Sequence, residues 1–296
     1  LMMMFFLIKK KGIVISIDTY NNGSHFLNFK KPELVIKKII RSSISDLICK
    51  GVKPKYIFIS ASGAKNHFNK KNLRLISLSI KEEQKKFNIK LSGGDMVNSN
   101  KSSFTVISLG FSNKIIKRNN TKINDDIYVT GNLGDSYLGL KILKKRVNIN
   151  KKLNNYFINK YYLIDLPFGL IKYLYKFSNS SIDISDGLFS DLSKMINNQN
   201  HGYTLNLNKI PISRNLKVYL KKNKKNIHEY ISMGDDYQVL FTSSKKNRLY
   251  IKKVAKRINQ KITLIGSVVN QSNKTKVIFN NKEIKSLNYK GYSHKF

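Results

Sequence analysis

The residues of this chain whose types and spacing could do chemistry together are aspartates. Nine of the 17 acidic residues are aspartates in six windows that contain no lysine or arginine, although Lys and Arg contribute 55 of the 296 residues. The windows are residues 12–25, 42–49, 91–100, 127–140, 182–191 and 232–239. Most of these aspartates adjoin serine or glycine, which is typical of turns. A lysine-rich chain has therefore kept positive side chains out of its aspartate-rich turns.

Carboxylates from separate turns can meet only where a cation offsets their repulsion. Each pair about 4 Å apart costs roughly 4 kcal/mol at an effective dielectric of 20, and a few such pairs rival the roughly 5–15 kcal/mol stability of a domain. The windows supply no such cation, although a lysine or arginine could reach in from elsewhere. An all-oxygen ligand set suits Mg²⁺. We therefore predict that these side chains converge on Mg²⁺: Asp18, Asp46, Asp95, Asp183 and Asp186.

Glycines beside the aspartates point to phosphate as the second partner of the metal. Gly94 precedes Asp95, and Gly131-Asn132-Leu133-Gly134 precedes a predicted helix. Glycine lets the backbone approach phosphate oxygens closely. The pattern predicts Mg²⁺-dependent phosphoryl transfer, in which the protein positions groups and neutralises charge and no side chain acts as a nucleophile. Taken singly, Asp186 and Asp191 are typical of helix caps or solvated surfaces.

Apolar runs and amphipathic segments place these turns between strands and helices. Residues 2–8 and 13–18 form a predicted hairpin, and further predicted strands cover 56–60, 104–111, 127–130, 182–184, 237–241 and 262–268. One predicted helix is opened by Pro32 and ended by Gly51, and others cover 72–87, 135–143, 188–196 and 247–258. Strict alternation is absent, so we predict an α+β protein with domains at 1–117 and 118–296, joined by the lysine-rich segment 113–122.

Composition excludes several classes of protein. Hydrophobic residues make up 41%, enough for a core, and a single cysteine, Cys49, excludes an intramolecular disulfide framework and a cysteine-based zinc cluster. The apolar run 1–8 is too short for a bilayer and lacks the flanks of a signal peptide, so a soluble, cytoplasmic protein without a membrane partner is expected. The net charge of +38 could attract polyanions. Because the lysines are spread along the chain without a recognition motif, genome composition explains them better than a specific nucleic-acid partner.

The order of the motifs resembles that of thiamine-monophosphate kinases. Ser16-Ile17-Asp18-Thr19, followed by Gly23-Ser24-His25-Phe26, is similar to the opening motif of that family. The other matching segments are Ser45-Asp46-Leu47, Ser92-Gly93-Gly94-Asp95, Val129-Thr130-Gly131 with Gly134-Asp135-Ser136, residues 182–188, Gly234-Asp235-Asp236-Tyr237 and Lys290-Gly291-Tyr292. The resemblance covers essentially the whole chain.

The resemblance implies ATP-dependent phosphorylation of thiamine monophosphate to thiamine diphosphate, by direct in-line transfer with Mg²⁺, in thiamine diphosphate biosynthesis. It also implies the fold of aminoimidazole-ribonucleotide synthetase and selenophosphate synthetase, a homodimer paired through the N-terminal domains, and ATP between the domains. The implied metal ligands are Ser16, Asp18, Asp46, Asp95, Asp183 and Asp186. The implied nucleotide contacts are Gly94, Asp95, Arg118 and Ser185, and the implied substrate contacts are His25, Asp235 and Tyr292.

Some positions depart from the family pattern. The family's Gly-Asp-Asp-Ala segment, which carries a metal ligand, is not found in the sequence. Asp235 stands where the family has Glu, Met96 where it has Thr, and residues 165–168 replace a basic segment. The open alternatives are an aminoimidazole-ribonucleotide synthetase-like enzyme, a basic nucleic-acid-binding protein and a non-catalytic homologue that still dimerises. Selenophosphate synthetase is disfavoured because it needs a reactive cysteine near its start, and Cys49 lies inside a predicted helix.

Overall fold

The computed structural model describes residues 12–196, 199–270, 275–284 and 291–292, and the chain forms two compact units. The first unit comprises Leu1–Ile48, Val52–Ile115 and Tyr162–Ile164. The second comprises Cys49–Gly51, Ile116–Tyr161 and Asp165–Phe296. The predicted domain boundary at 117/118 and the roles assigned to its two sides remain predictions. The predicted strand at 2–8 and the motif residue Lys290 lie outside the described residues.

The first unit is built on a four-stranded sheet in the order β1-β4-β2-β3. Its elements are β1 (Ile13–Asn21), α1 (Pro32–Cys49), β2 (Pro54–Gly63), α2 (Lys70–Phe87), β3 (Lys90–Asn98) and β4 (Ser103–Phe111). The pair β2/β3 is parallel, and β4 pairs antiparallel with both β1 and β2. The strands β1 and β3 are therefore the opposite edges of the sheet.

One face of this sheet is buried beneath α1. Residues alternate between buried and more exposed along β1 and β4, as expected for a sheet with one covered face. The hydroxyls of Ser43 on α1 and Ser108 on β4 lie 2.7 Å apart, and Leu47 of α1 packs in a buried cluster with Val14 of β1. On the other face, Ile17 and Phe111 are 55% and 47% exposed. The sheet thus has one packed face and one apolar face that the described part of the chain leaves open.

The second unit is built on a seven-stranded sheet in the order β11-β10-β7-β9-β5-β8-β6. Its strands are β5 (Asp126–Thr130), β6 (Ser180–Asp183), β7 (His201–Asn206), β8 (Val239–Ser243), β9 (Ile262–Asn270), β10 (Lys276–Phe279) and β11 (Lys282–Glu283). The remaining α-helices of the described residues are α3 (Asp135–Leu143), α4 (Lys151–Tyr162), α5 (Ile171–Phe177), α6 (Leu188–Ile196), α7 (Arg214–Lys222), α8 (Ile227–Ile231) and α9 (Arg248–Arg257). The strands β5, β8 and β6, which form one end of this sheet, are buried throughout.

The α+β class is confirmed, and most predicted elements are present. The helix that Pro32 opens ends at Cys49, just before Gly51, whose φ of +73° suits a helix terminator. The main difference concerns Ser92-Gly93-Gly94-Asp95, which the sequence suggested as a glycine turn and which lies inside the edge strand β3. None of the described helices is both long and apolar enough to cross a bilayer.

Candidate active site

Three predicted metal ligands lie on the same side of the sheet in the first unit. Ser16 on β1 donates a hydrogen bond from Oγ to Oδ2 of Asp46 on α1, at 2.5 Å. Asp18 lies two residues further along β1, so its side chain leaves the strand on the same face as that of Ser16. Ser16 is buried, while Asp18 and Asp46 are partly exposed. The strand and the helix together therefore present one hydroxyl and two carboxylates.

Asp95 lies at the opposite edge of the same sheet. The register pairs Asp18 of β1 with Val106 of β4. It pairs Val106 with Ile59 of β2, and Ile59 with Gly94 of β3. Three steps between neighbouring strands of about 4.8 Å put the backbones of Asp18 and Gly94 roughly 14 Å apart. Within one chain, Asp18 and Asp95 are therefore too far apart to bind the same ion directly.

The glycines of the two predicted phosphate turns make room for protein atoms. A Cβ on Gly94 would lie 2.1 Å from the carbonyl oxygen of Ile59 on the neighbouring strand. A Cβ on Gly131 would lie 2.3 Å from Oε1 of Gln238. Glycine is thus needed at both positions for close packing. This packing explains the two glycines without phosphate, and the predicted approach of the backbone to phosphate remains a prediction.

The ring of His25 is oriented by the turn that follows β1. Its Nδ1 accepts the backbone N–H of Asn21 at 3.0 Å, and its ring meets that of Tyr20 edge-on at 5.7 Å. When the imidazole is neutral, an acceptor at Nδ1 places the proton on Nε2. The half-buried ring therefore presents a donor at Nε2.

The second unit gathers five predicted residues around one strand-to-helix turn. Asp183 ends β6 and is buried, and Ser185 and Asp186 follow it before α6 begins. The backbone N–H of Asp235 donates to the carbonyl oxygen of Ser185 at 2.9 Å. The backbone N–H of Tyr292 donates to the carbonyl oxygen of Asp186 at 3.0 Å. Motifs far apart in the sequence therefore meet at this turn.

The segment that carries Asp235 is bent by positive φ angles. They are +73° at Gly234, +61° at Asp235 and +49° at Tyr237. A Cβ on Gly234 would lie 2.0 Å from the carbonyl oxygen of Ser185, so only glycine fits there. Non-glycine residues in this region cost about 1–3 kcal/mol each, and they persist where their surroundings hold them.

Two buried carboxyls hold this bent segment and the start of α3. Both carboxylate oxygens of Asp236 accept the backbone N–H of Gly134, each at 3.0 Å. Asp135 accepts hydrogen bonds from Ser213 at 2.7 Å and from Tyr156 at 2.9 Å. Burial raises the pKa of the Asp236 and Asp135 carboxyls above the ordinary value of 3.8. Both aspartates belong to matched motifs: Asp236 supports neighbouring backbone, whereas Asp135 binds the side-chain hydroxyls of Ser213 and Tyr156.

Asp191 and Lys194 on α6 are functional candidates that the sequence analysis missed. Oδ2 of Asp191 accepts the backbone N–H groups of Ser185, Asp186 and Gly187 at 3.0, 2.9 and 3.1 Å. Asp191 is fully buried, which excludes the solvated position that the sequence allowed, whereas its bonds to these three N–H groups are those of a cap. Burial raises the pKa of its carboxyl to about 7, against the opposing effect of Lys194. In the sequence, these two residues could have been recognised as an aspartate and a lysine in the first two turns of the predicted helix that follows Ser185-Asp186-Gly187.

Arg118 lies apart from this turn. Its neighbour Lys117 accepts the backbone N–H of Ser181 through its carbonyl oxygen at 3.3 Å. Ser181 is two residues before Asp183 on β6, and Arg118 is exposed. Arg118 therefore lies beside β6, towards the end of the strand opposite to Asp183.

The predicted single cluster of carboxylates is not found. Among the residues that the structure describes, no group of three or more His, Cys, Asp or Glu side chains is close enough to hold a metal ion. The strand order is one reason, since it separates Asp95 from Asp18 and Asp46 within the first unit. At the turn of the second unit, Asp186 is instead paired with Lys194.

Comparison with known proteins gives a consistent result. Residues 4–111 match a family described as AIR synthase related protein, N-terminal domain. Thiamine-monophosphate kinase of Buchnera aphidicola subsp. Acyrthosiphon pisum is 35% identical over 292 residues, which cover 97% of this chain and 88% of that protein. The structure of thiamine monophosphate kinase from Aquifex aeolicus gives a TM-score of 0.80 at 27% identity, covering 93% of this chain and 90% of that one. The structure of AaThiL complexed with AMPPCP and TMP gives 0.83 at 27% identity, covering 96% and 88%.

These similarities extend over nearly all of the sequence and agree with the order of its motifs. They confirm the predicted fold, which is that of the AIR synthase relatives. The chain belongs to the thiamine-monophosphate kinase family.

Proposed function

We propose that this chain transfers the γ-phosphoryl group of ATP to thiamine monophosphate, giving ADP and thiamine diphosphate. The observation that carries the proposal is the meeting of Asp183, Ser185, Asp186, Asp235 and Tyr292 at one turn of the second unit. The similarity to AaThiL, whose structure contains AMPPCP and TMP, supports the choice of substrates. Because the reaction consumes ATP, a cytoplasmic location is part of the proposal.

The candidate metal ligands fit Mg²⁺ by their chemistry. The set Ser16, Asp18, Asp46, Asp95, Asp183 and Asp186 contains only hydroxyl and carboxylate oxygens, which are the donors that Mg²⁺ prefers. Bound Mg²⁺ would neutralise phosphate charge that develops during transfer. The separation of roughly 14 Å between the backbones at Asp18 and Gly94 means that one chain cannot place Asp18 and Asp95 on the same ion.

The remaining candidates bind the two substrates. We assign Gly94, Asp95, Arg118 and Ser185 to the nucleotide, and the guanidinium of Arg118 is suited to phosphate. We assign His25, Asp235 and Tyr292 to thiamine monophosphate. The side chain of Tyr292 is 37% exposed, so its ring can stack on a heteroaromatic ring of the substrate. Asp235 is one methylene shorter than the family's glutamate.

The proposed transfer is a single in-line displacement. A phosphate oxygen of thiamine monophosphate bonds to the γ-phosphorus while the bond from that phosphorus to the β–γ bridging oxygen breaks, and ADP leaves with the bonding pair. The chain positions the two phosphates, and no side chain carries the phosphoryl group. Without thiamine monophosphate, labelled ADP should therefore not exchange into ATP. Exchange would contradict the single displacement.

Incubation with ATP, Mg²⁺ and thiamine monophosphate, followed by chromatography, tests the reaction. Asp46→Asn should reduce turnover at least 100-fold, an effect of about 3 kcal/mol on the transition state, because it removes charge from the metal site. Asn keeps an oxygen that can accept the hydrogen bond of Ser16, so the fold should persist. The control is Glu82→Gln, an exposed position on α2. Equal turnover in both variants would refute the role of Asp46.

Other outcomes would favour the alternatives. ATP hydrolysis without thiamine diphosphate would indicate a different acceptor within the same fold. Duplex binding with steep salt dependence and no turnover would indicate a nucleic-acid-binding protein.

We also propose a homodimer paired through the open face of the first unit's sheet. Three large apolar side chains on this face are about half exposed: Ile17, Val97 and Phe111. Exposed apolar side chains grouped on one face are typical of an interaction site. Sedimentation velocity should give a dimer mass for the wild type and a monomer mass for Ile17→Asp.

A further inference from the structure

The turn that carries Asp186 is fixed by one buried carboxylate. Asp191 uses Oδ2 to accept the N–H groups of Ser185, Asp186 and Gly187, each within 3.1 Å. Its Oδ1 accepts a hydrogen bond from Nζ of Lys194 at 2.8 Å. Since Asp191 is fully buried, these contacts supply its compensation for lost hydration. The backbone of the turn therefore keeps its shape through Asp191, independently of what binds Asp186.

Lys194 is shared between two carboxylates. Besides Asp191, its Nζ contacts Oδ2 of Asp186 in an ion pair. The side chains of Lys194 and Asp186 are 37% and 32% exposed, whereas that of Asp191 is 0% exposed. The contact with Asp186 therefore lies at the solvent side, where a flexible lysine stem can exchange partners.

We propose that Lys194 is an internal counter-ion of the metal site: its ammonium neutralises Asp186 before a divalent cation is bound, and the cation must displace it. This inference rests on the metal role of Asp186 in the proposed function. The charge balance supports it, because Asp183 and Asp186 both act electrostatically on Asp191, so this turn concentrates negative charge. A released Lys194 would keep its hydrogen bond to Asp191, and the turn would stay in place.

A counter-ion role and a structural role of Lys194 predict opposite changes in metal affinity when the lysine is replaced. Loss of a structural contact would weaken metal binding, whereas loss of a competing cation should strengthen it. We expect Lys194→Met to bind Mn²⁺ up to about fivefold more tightly than wild type, the ratio that corresponds to about 1 kcal/mol for one partly exposed ion pair. Lys194→Gln should also bind Mn²⁺ more tightly than wild type, and it replaces Lys194→Met in the test if that variant does not fold.

The test is titration of the full chain with Mn²⁺ alone, with free Mn²⁺ followed by electron paramagnetic resonance. The matched control is Lys141→Met, which removes a lysine paired with Glu229 elsewhere in the second unit and should leave Mn²⁺ affinity unchanged. Thermal melting provides a second readout. Without metal, the melting temperature of Lys194→Met should be lower than that of wild type, and saturating Mn²⁺ should raise it by more than it raises that of wild type.

A third variant, Asp186→Asn, separates the two hypotheses. If it weakens Mn²⁺ binding while Lys194→Met and Lys194→Gln bind no more tightly than wild type, the counter-ion role is wrong and the metal role of Asp186 stands. If Asp186→Asn binds Mn²⁺ as well as wild type, the metal role of Asp186 fails and the inference fails with it. Weaker binding by Asp186→Asn combined with tighter binding by both Lys194 variants supports the inference.

Discussion

A buried ion pair fixes the helix that carries Asp46, and its loss should destabilise the first unit strongly. Nε and Nη2 of Arg41 on α1 donate to the two carboxylate oxygens of Glu83 on α2 at 2.8 and 2.6 Å. Nη1 of Arg41 donates to the carbonyl oxygen of Ile164 at 3.2 Å, and the guanidinium lies 5.6 Å from the ring centre of Phe87. The two charged side chains are only 6% and 2% exposed.

The expected loss of stability follows from the burial of this ion pair. Glu83→Gln keeps the size of the side chain and leaves the Arg41 charge without its partner in a dry site, which costs about 3–5 kcal/mol. That is a large share of the roughly 5–15 kcal/mol that stabilises a typical domain. The neighbouring Glu82 pairs with Lys37 at 2.5 Å but is 63% exposed, so water already screens that pair. Glu82→Gln should therefore change stability very little.

The free energies of unfolding of both variants are measured by urea denaturation, with circular dichroism as the signal. Separate fits are used if the two units unfold in separate steps. The free energy of unfolding should fall for Glu83→Gln and stay near wild type for Glu82→Gln. The double variant Arg41→Met, Glu83→Leu should be more stable than Glu83→Gln, because it removes both buried charges. Equal free energies for Glu83→Gln and Glu82→Gln would refute the reasoning.

Two further predictions concern the second unit. Gly139→Ala should destabilise the protein by about 1–3 kcal/mol despite the better helix propensity of alanine, because its Cβ would lie 2.1 Å from the carbonyl oxygen of Phe157. Gly169→Ala is its control, because a Cβ there would lie 3.4 Å from the nearest atom, and urea denaturation measures both variants. Burial raises the pKa of Asp135 above 3.8, so the folded state holds that proton more tightly and stability should fall as the pH rises above that value. Asp135→Asn lacks this titration, and its unfolding free energy measured between about pH 4 and 7 should decline less steeply than that of wild type.

The sequence predicted elements best where local signals and burial agree. In α1, Pro32 and Glu33 suit the first turn, and the apolar positions recur at helical spacing, so the helix and its end were predicted. In β3, Gly93 and Gly94 suggested a turn, yet the strand forms through pairing with β2. Strand pairing depends on the neighbouring strand more than on local propensity, so such an edge strand is hard to recognise from its own residues.

The helix α4 was missed for a different reason. Phe157 and Tyr161 lie four residues apart and are both buried, which is a helical signal. Lysine and asparagine fill half of the twelve positions of this helix. Because the same two residues are frequent along the whole chain, they make an amphipathic helix hard to distinguish from the lysine-rich segments around it.

The order of the motifs was sufficient to predict the family, whereas the charge balance of the site required coordinates. Aspartates gathered at one place need compensation for their mutual repulsion. The structure supplies much of that compensation from within the chain. Ser16 donates to Asp46, three backbone N–H groups donate to Asp191, and Lys194 pairs with both Asp186 and Asp191.

This compensation changes what a divalent cation must do at the turn of the second unit. A carboxylate that already has a cationic partner gains less from a metal than an isolated one, because the existing ion pair must first be broken. If Asp186 binds Mg²⁺ as proposed, metal affinity at this turn is a difference between two cations that compete for Asp186. Lys194 lies on α6, just beyond the lysine-free window 182–191. Whether its ammonium group contacts Asp186 therefore depends on the geometry of the turn and of α6. No pattern of residue types along the chain encodes that contact.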